Sequence, residues 1–220
     1  MFSNFAVHYP VWYLVADLLL HMLLFTLVVS AIVFLLRTPL RKYKGRDMAI
    51  FQRINFLRTK TGNRMMLAIT FLGKHQFLLP ANIILILLFL VFGQHQWYAI
   101  RILFMSLSSL LLMFILKRLF HRKRPAEPLL FQAKGKSFPS GHAMTAVTFY
   151  GLLLYMLVQS NMGPALNTIA SIFAILLIIA IGFSRVYLQV HYASDVLAGF
   201  IVGSTWLYIS LHVLNRLQEL

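Results

Sequence analysis

Apolar residues in this chain gather into long, nearly unbroken runs, where a water-soluble domain would alternate them with polar positions. Six runs, at 11–36, 77–92, 97–116, 139–159, 166–184 and 193–213, approach or exceed the roughly 20 residues that a helix needs to cross a bilayer. A spanning segment must satisfy its backbone hydrogen bonds internally, so each run is predicted as a helix. The expected fold class is therefore all-α: a polytopic membrane protein with six transmembrane helices in a bundle. Pro80 sits near the start of the second run and leaves its N-terminal limit open. Tyr9, Trp12, Tyr13, Trp97, Tyr98 and Tyr192 lie near run ends, where amphipathic rings favour the membrane interface. With 220 residues, no internal repeat and no low-complexity tract, a single domain over 1–220 is expected.

Two connections between the runs are longer than turns. Segment 37–76 opens with the basic stretch RTPLRKYKGR. It continues with Ile50, Ile54 and Leu57 at helical spacing, while Arg46, Arg53 and Lys60 fall on another face. That pattern predicts an amphipathic helix lying on the membrane surface. The second connection, Lys117 to Phe138, holds HRKRPAEP and then AKGKS, and is too long and too basic for a simple turn.

Composition sharpens this picture. Only 11% of residues are charged, against about 25% in soluble domains. The net charge of +15 comes from 20 Lys and Arg against five acids: Asp17, Asp47, Glu127, Asp195 and Glu219. Nucleic acid is one reason for such an excess. In a multi-spanning protein, anionic membrane lipids and a phosphate-bearing substrate explain it better, so no nucleic-acid partner is expected. Cysteine is absent, which excludes disulfides and thiolate metal sites. The first ten residues carry no Lys or Arg, so no cleavable signal peptide is expected.

Three clusters carry candidate chemistry: KRLFHRKRP at 117–125, FPSGH at 138–142 and SRVYLQVHYASD at 184–195. Alternating span direction brings all three to the same membrane face, whichever way the N-terminus points. Lys117, Arg124 and Arg185 would supply fixed positive charge, the guanidinium groups gripping phosphate oxygens in pairs. Pro139 suits the first turn of a helix. Ser140 and Gly141 would then offer backbone N–H groups at the positive end of the fourth span, with glycine permitting close approach. His191 and Asp195, four residues apart, can share a helix face at the start of the sixth span. The carboxylate would then accept Nδ1–H and leave the Nε2 lone pair aimed outward, able to attack phosphorus. His142 is the second imidazole, suited to protonate a leaving oxygen and then activate water.

Each cluster alone has a plain structural reading, as a topology signal, a helix cap or a snorkelling histidine. Together they resemble the type 2 phosphatidic acid phosphatase superfamily, which also contains vanadium haloperoxidases and glucose-6-phosphatase. Its signature, K-x6-RP, PSGH and SR-x5-H-x3-D, is matched by Lys117 with Arg124-Pro125, by Pro139-Ser140-Gly141-His142, and by Ser184-Arg185, His191 and Asp195. The resemblance implies a six-helix bundle in which His191 is the nucleophile, Asp195 orients it and His142 is the acid/base. Lys117, Arg124, Ser140, Gly141 and Arg185 would bind phosphate. Ser184 belongs to the motif without an evident chemical role, and TFLGK at 70–74 resembles the family only loosely.

The expected activity is hydrolysis of a lipid phosphate or lipid pyrophosphate, and the resemblance to compact members of this superfamily implies undecaprenyl pyrophosphate as the first candidate. Phosphatidylglycerol phosphate, phosphatidic acid and a lipid A phosphate also fit. A two-metal phosphatase needs several carboxylates. Only Glu127 and Asp195 lie near the motifs by sequence, so no metal and no other cofactor is expected. A lipid phosphotransferase on the same site and an anion transporter are the alternatives, and no obligate protein partner is implied. Of the 20 Lys and Arg, 18 fall on the site side and only Arg101 and Arg216 opposite, which by the positive-inside rule favours a cytoplasmic site. The resemblance implies the external face instead, and that face is expected.

Overall fold

The computed structural model describes residues 44–92, 96–126, 128–130, 135–160 and 162–219, with isolated helical positions between 16 and 31. Most of the predicted first span at 11–36, with Tyr9, Trp12 and Tyr13, and the acid Glu127 lie outside the described residues. Seven helices are described in full: α1 (Lys44–Ile54), α2 (Lys60–Phe71), α3 (His75–Val91), α4 (Gln96–Phe120), α5 (Gly141–Gln159), α6 (Pro164–Tyr187) and α7 (Ala193–Gln218), with a short 3-10 turn at Asn55–Leu57. Among the described residues there is no strand, as the apolar runs predict.

Five helical segments are long and apolar enough to cross a membrane: Lys60–Val91, which joins α2 and α3, and α4, α5, α6 and α7. They overlap the second to sixth predicted runs, and the chain is an integral membrane protein; the first of them starts at Lys60, inside the stretch expected as a connection, because α2 adds an apolar helix ahead of the run at 77–92. The third run extends past its predicted end at 116 to Phe120. The sixth extends past 213 to Gln218.

The core lies between α4, α5 and α7. Leu112, Leu116, Met144 and Val202 form one buried layer, and Ile102, Met105, Leu152 and Met156 another. Lipid tails are as apolar as leucine, so helices in a bilayer associate through close backbone approach more than through burial. Gly199 and Gly203 supply that approach. A Cβ on Gly199 would stand 2.7 Å from the Ser140 carbonyl oxygen, and one on Gly203 3.0 Å from that of Met144. The start of α7 is thereby held against the start of α5. On the outside, α6 exposes Ile169, Ile172, Phe173, Leu176 and Ile179, a surface suited to lipid.

The amphipathic segment is helical, as α1, but its apolar face meets protein. Phe51 is buried with Ala143, Val186, Tyr192 and Val196, and Ile50 and Ile54 pack beside them. Leu57, expected on that face, is exposed because the chain tightens into the 3-10 turn before reaching it. Tyr192 likewise is no interface anchor. It stacks on Phe51 at 5.8 Å, and the Arg122 guanidinium lies 4.1 Å from its ring centre.

Candidate active site

The signature residues converge at one end of the bundle. Helix α4 carries Lys117 in its last turn and ends where His121 adopts a left-handed φ of 48°. The chain then bends back toward the bundle, which brings Arg122 and Arg124 inward. Helix α6 ends similarly: Leu188 caps it, Gln189 turns at φ 53°, and His191 follows. A bond from Ser137 N to Arg122 O at 2.8 Å and one from Leu129 N to Leu188 O at 3.1 Å tie the long connection to this end.

His191 is 1% exposed and Asp195 fully buried, but the two do not share a helix face as expected. Tyr192 is the N-cap of α7 in extended conformation, so His191 precedes the helix. Their proximity comes from the capping box, in which Asp195 reaches back to accept Tyr192 N–H at 3.0 Å. The Asp195 Oδ2 to His191 Nδ1 distance is 3.6 Å. Ser137, buried in the long connection, donates to Asp195 Oδ2 and lies 3.5 Å from His191 Nδ1. The other ring nitrogen, Nε2, stands 2.9 Å from Arg124 Nη1. Burial, with Arg124 and Arg185 nearby, holds the His191 imidazole down at about 4 despite the opposing pull of Asp195. The ring is therefore neutral near pH 7, and its hydrogen bond from Arg124 leaves Nε2 as the acceptor.

The Ser140 arrangement differs from expectation in one respect. Its backbone N–H donates to the Asp195 carbonyl at 3.0 Å and is not available to an anion. Its hydroxyl is buried with no hydrogen-bond partner among the described residues, so the side chain is the free group. Ser140 caps α5, which leaves Pro139 outside the helix and Gly141 as its first residue. The N–H groups of that first turn have no intrahelical acceptor. A Cβ on Gly141 would meet Met113 Sδ at 2.5 Å, so close contact with α4 requires glycine there.

The remaining motif residues gather around this centre. Lys117 Nζ donates to Lys136 O at 2.9 Å, and Arg124 donates to Gly135 O and Val190 O at 3.1 and 2.8 Å. Arg124 is lowered from the usual arginine range, chiefly by burial. Arg185 is buried and donates to Thr70 Oγ1 at 2.6 Å, while its Nε has no partner among the described residues. His142 Nε2 is likewise buried, with no partner among the described residues. Lys117, Arg124, Gly141, His142 and His191 all line one cavity of about 350 Å³. Away from them it is walled by apolar residues of α3, α4 and α5, among them Leu78, Leu79, Ile102, Leu110 and Leu152. Ser184 sits in the core with its hydroxyl on Ile181 O at 2.7 Å, which makes it a packing residue.

Three contributors escaped the sequence reading. Arg122, an unassigned position inside K-x6-RP, bridges Asp195 at 2.5 Å and Asp47 of α1 at 2.8 Å. Ser137 was one of several polar loop residues with nothing to single it out. The 70–74 segment, given no weight by sequence, borders the site: Thr70 holds Arg185, and Gly73 lies against the His142 ring. Its loose likeness to the family was the only available signal.

The architecture defines a membrane-embedded helical bundle with cationic and imidazole side chains gathered at the polar end of an apolar cavity. Residues 98–219 match the PAP2 superfamily, and the chain belongs to it. Phosphatidylglycerophosphatase B of Bacillus subtilis (strain 168) is 35% identical over 165 residues, spanning 73% of this chain and 79% of the relative. An undecaprenyl-diphosphatase of Sulfolobus acidocaldarius is 25% identical over 175 residues, spanning 77% and 79%. Among solved structures, the transmembrane PAP2 type phosphatidylglycerolphosphate phosphatase from Bacillus subtilis superposes with a TM-score of 0.75 and 29% identity, over 91% of this chain and 96% of that one. Aquifex aeolicus LpxE gives 0.60 and 26%, over 75% and 94%. In this family and with relatives named as phosphatases, the chain is an enzyme of the phosphatase class.

Proposed function

We propose that the chain hydrolyses a lipid phosphate or lipid diphosphate through a phosphohistidine on His191, without a metal. The observation that carries this reading is one cavity holding two imidazoles, His191 and His142, beside Lys117 and Arg124 and opening onto apolar walls. The phosphate is held by Lys117, Arg124, Arg185, the Ser140 hydroxyl and the Gly141 N–H. It takes over the Arg124 N–H that now rests on His191 Nε2, which frees the lone pair. Nε2 attacks phosphorus, and the leaving oxygen departs with a proton from His142. Water then gives a proton back to His142 and breaks the P–N bond, which releases inorganic phosphate. Asp195 holds the ring through Ser137 and its own carboxylate. The apolar walls take the first part of the lipid tail.

The reading extends to a six-span single domain over 1–220, with 11–36 as first span and the site on the external face. Undecaprenyl pyrophosphate is the first substrate candidate. Phosphatidylglycerol phosphate is the second, favoured by the 35% identical relative.

The test is phosphate release from these two lipids, phosphatidic acid and a lipid A phosphate, in detergent with excess EDTA, together with trapping of label from 32P-substrate. Activity should persist in EDTA, and label should sit on His191. His191→Ala should abolish both turnover and labelling. Asp195→Asn should lower kcat by roughly 10²–10⁴. His142→Ala should let the labelled enzyme accumulate. Label on another residue, or recovery only with magnesium, overturns the mechanism. Labelled lipid instead of free phosphate identifies a phosphotransferase.

A further inference from the structure

A second polar cavity, of about 500 Å³, lies at the other end of the bundle, between the start of α4 and the ends of α5 and α7. Tyr98, Arg101, Tyr155, Asn215, Gln218 and Glu219 line it. Arg101 and Lys117 are 16 residues apart on the same helix, which at 1.5 Å per residue separates the two sites by about 24 Å.

Arg101 is only 4% exposed. Its Nη2 donates to Asn215 Oδ1 and to Gln218 Oε1, each at 2.7 Å. The Tyr155 hydroxyl donates to the same Asn215 oxygen at 2.8 Å. The guanidinium carbon lies 5.6 and 5.5 Å from the ring centres of Tyr98 and Tyr155. The Arg101 Nε is buried and has no hydrogen-bond partner among the described residues.

Among the described residues, every acceptor that Arg101 reaches is neutral. Glu219, the carboxylate in the lining, has a side chain 58% exposed and pairs with Arg216 at 3.4 Å. Among the described residues no carboxylate comes within ion-pair distance of Arg101. A buried charge is costly unless an opposite charge compensates it, and an intramembrane arginine without one marks a functional site. The amide oxygens are committed to Arg101, yet each amide still carries an NH2 donor. The wall therefore presents donors and a cation in a space large enough for a tetrahedral oxyanion.

We propose that this cavity is a second anion site that binds a phosphate-type oxyanion through Arg101, on the opposite side of the membrane from His191. The oxyanion comes either from a phospholipid headgroup of that leaflet or from free inorganic phosphate. The site is independent of the reaction at His191.

The test uses full-length protein carrying Lys117→Ala and Arg124→Ala, so that the first site does not take the probe, with Arg101 either intact or replaced by Gln. In dodecyl maltoside, which carries no phosphate, binding of inorganic phosphate is measured by calorimetry. In parallel, native mass spectrometry counts phosphatidylglycerol retained after delipidation, with the phosphate-free digalactosyldiacylglycerol as control. Phosphate binding in detergent that Arg101→Gln weakens at least tenfold supports the site and identifies the free ion. Selective retention of one phosphatidylglycerol, lost with Arg101→Gln, supports it and identifies a headgroup. Neither ligand binding with Arg101 intact, or equal binding in Arg101→Gln, overturns the proposal.

Arg101→Gln in the otherwise natural chain should keep phosphatase kcat within about twofold, which reports an intact fold. If that variant does not fold, Tyr155→Phe is read the same way, with a threefold or greater loss of affinity expected and an unchanged affinity counting against the site.

Discussion

Arg122 is the perturbation that most directly exposes the logic of the site. Its guanidinium joins two buried carboxylates, Asp195 at 2.5 Å and Asp47 at 2.8 Å, and also donates to Ser194 at 2.8 Å while covering the Tyr192 ring. Arg122→Met keeps much of the stem over that ring and removes the charge. Asp195 then keeps Ser137 and the Tyr192 N–H, and Asp47 keeps Ser194, but neither keeps a Lys or Arg within ion-pair distance among the described residues. Breaking a buried pair from one side costs about 3–5 kcal/mol. At 2–4 °C per kcal/mol for a chain of this size, the melting temperature should fall by roughly 6–20 °C.

The assay is intrinsic tryptophan fluorescence during a thermal ramp in detergent, with kcat measured on protein that remains folded. A double-mutant cycle isolates the pair. Asp195→Asn should cost much less in the Arg122→Met background than in the natural chain, because the charge it removes is already unpaired. A melting temperature within 2 °C of the natural chain, or additive losses in the cycle, would refute the bridge as a stabilising element.

The remaining predictions address other links. His191 should titrate with a midpoint near 4 by NMR of 15N-histidine-labelled protein, assigned with His191→Ala; a midpoint at 6.5 would contradict the burial argument. The sign follows from linkage: with the folded pKa below the unfolded 6.5, the His191 contribution to stability is complete above pH 6.5 and is lost as pH falls toward 4. Gly199→Ala sets a Cβ 2.7 Å from the Ser140 carbonyl, so about 1–3 kcal/mol of stability and part of kcat should be lost; unchanged melting and turnover would show that α5 has room to shift. For orientation, alkaline phosphatase fused after Leu220 should be inactive and a fluorescent protein fused there bright, because α7 carries the chain from Asp195 to the end opposite the site. An active alkaline phosphatase fusion would put His191 in the cytoplasm and uphold the charge count.

The spanning helices were legible because the signal for them is length and polarity, and neither depends on which residues touch. Their ends were less legible. The last turn of α4 carries Lys117 and Arg118, and polar residues there lower the apolar signal without breaking the helix. The left-handed residues that stop α4 and α6 are His121 and Gln189, where turn chemistry leads one to look for glycine. The face of α1 was visible as a period, but its partner was not. A hydrophobic stripe does not record whether it meets lipid or the Val186 and Tyr192 cluster.

For the site, fixed spacing identified the residues and could not describe their contacts. A separation of four reads as a shared helix face, yet His191 and Asp195 meet across an N-cap, where the carboxylate turns back toward the chain that precedes it. That geometry has a consequence for electrostatics. Asp195 shares one oxygen with the cap and Ser137 and the other with Arg122, so the imidazole is one of several partners for its charge. With the carboxylate thus occupied, burial governs His191 and keeps it neutral. Arg122 therefore acts beyond holding α1 in place. Its pairing with Asp195 competes for the carboxylate that favours a charged ring, and the attack proposed for His191 requires the neutral one. Asp47, 75 residues from Arg122 in sequence, helps hold that arginine there. No local motif could have carried that information, because it exists only once the surface helix has docked.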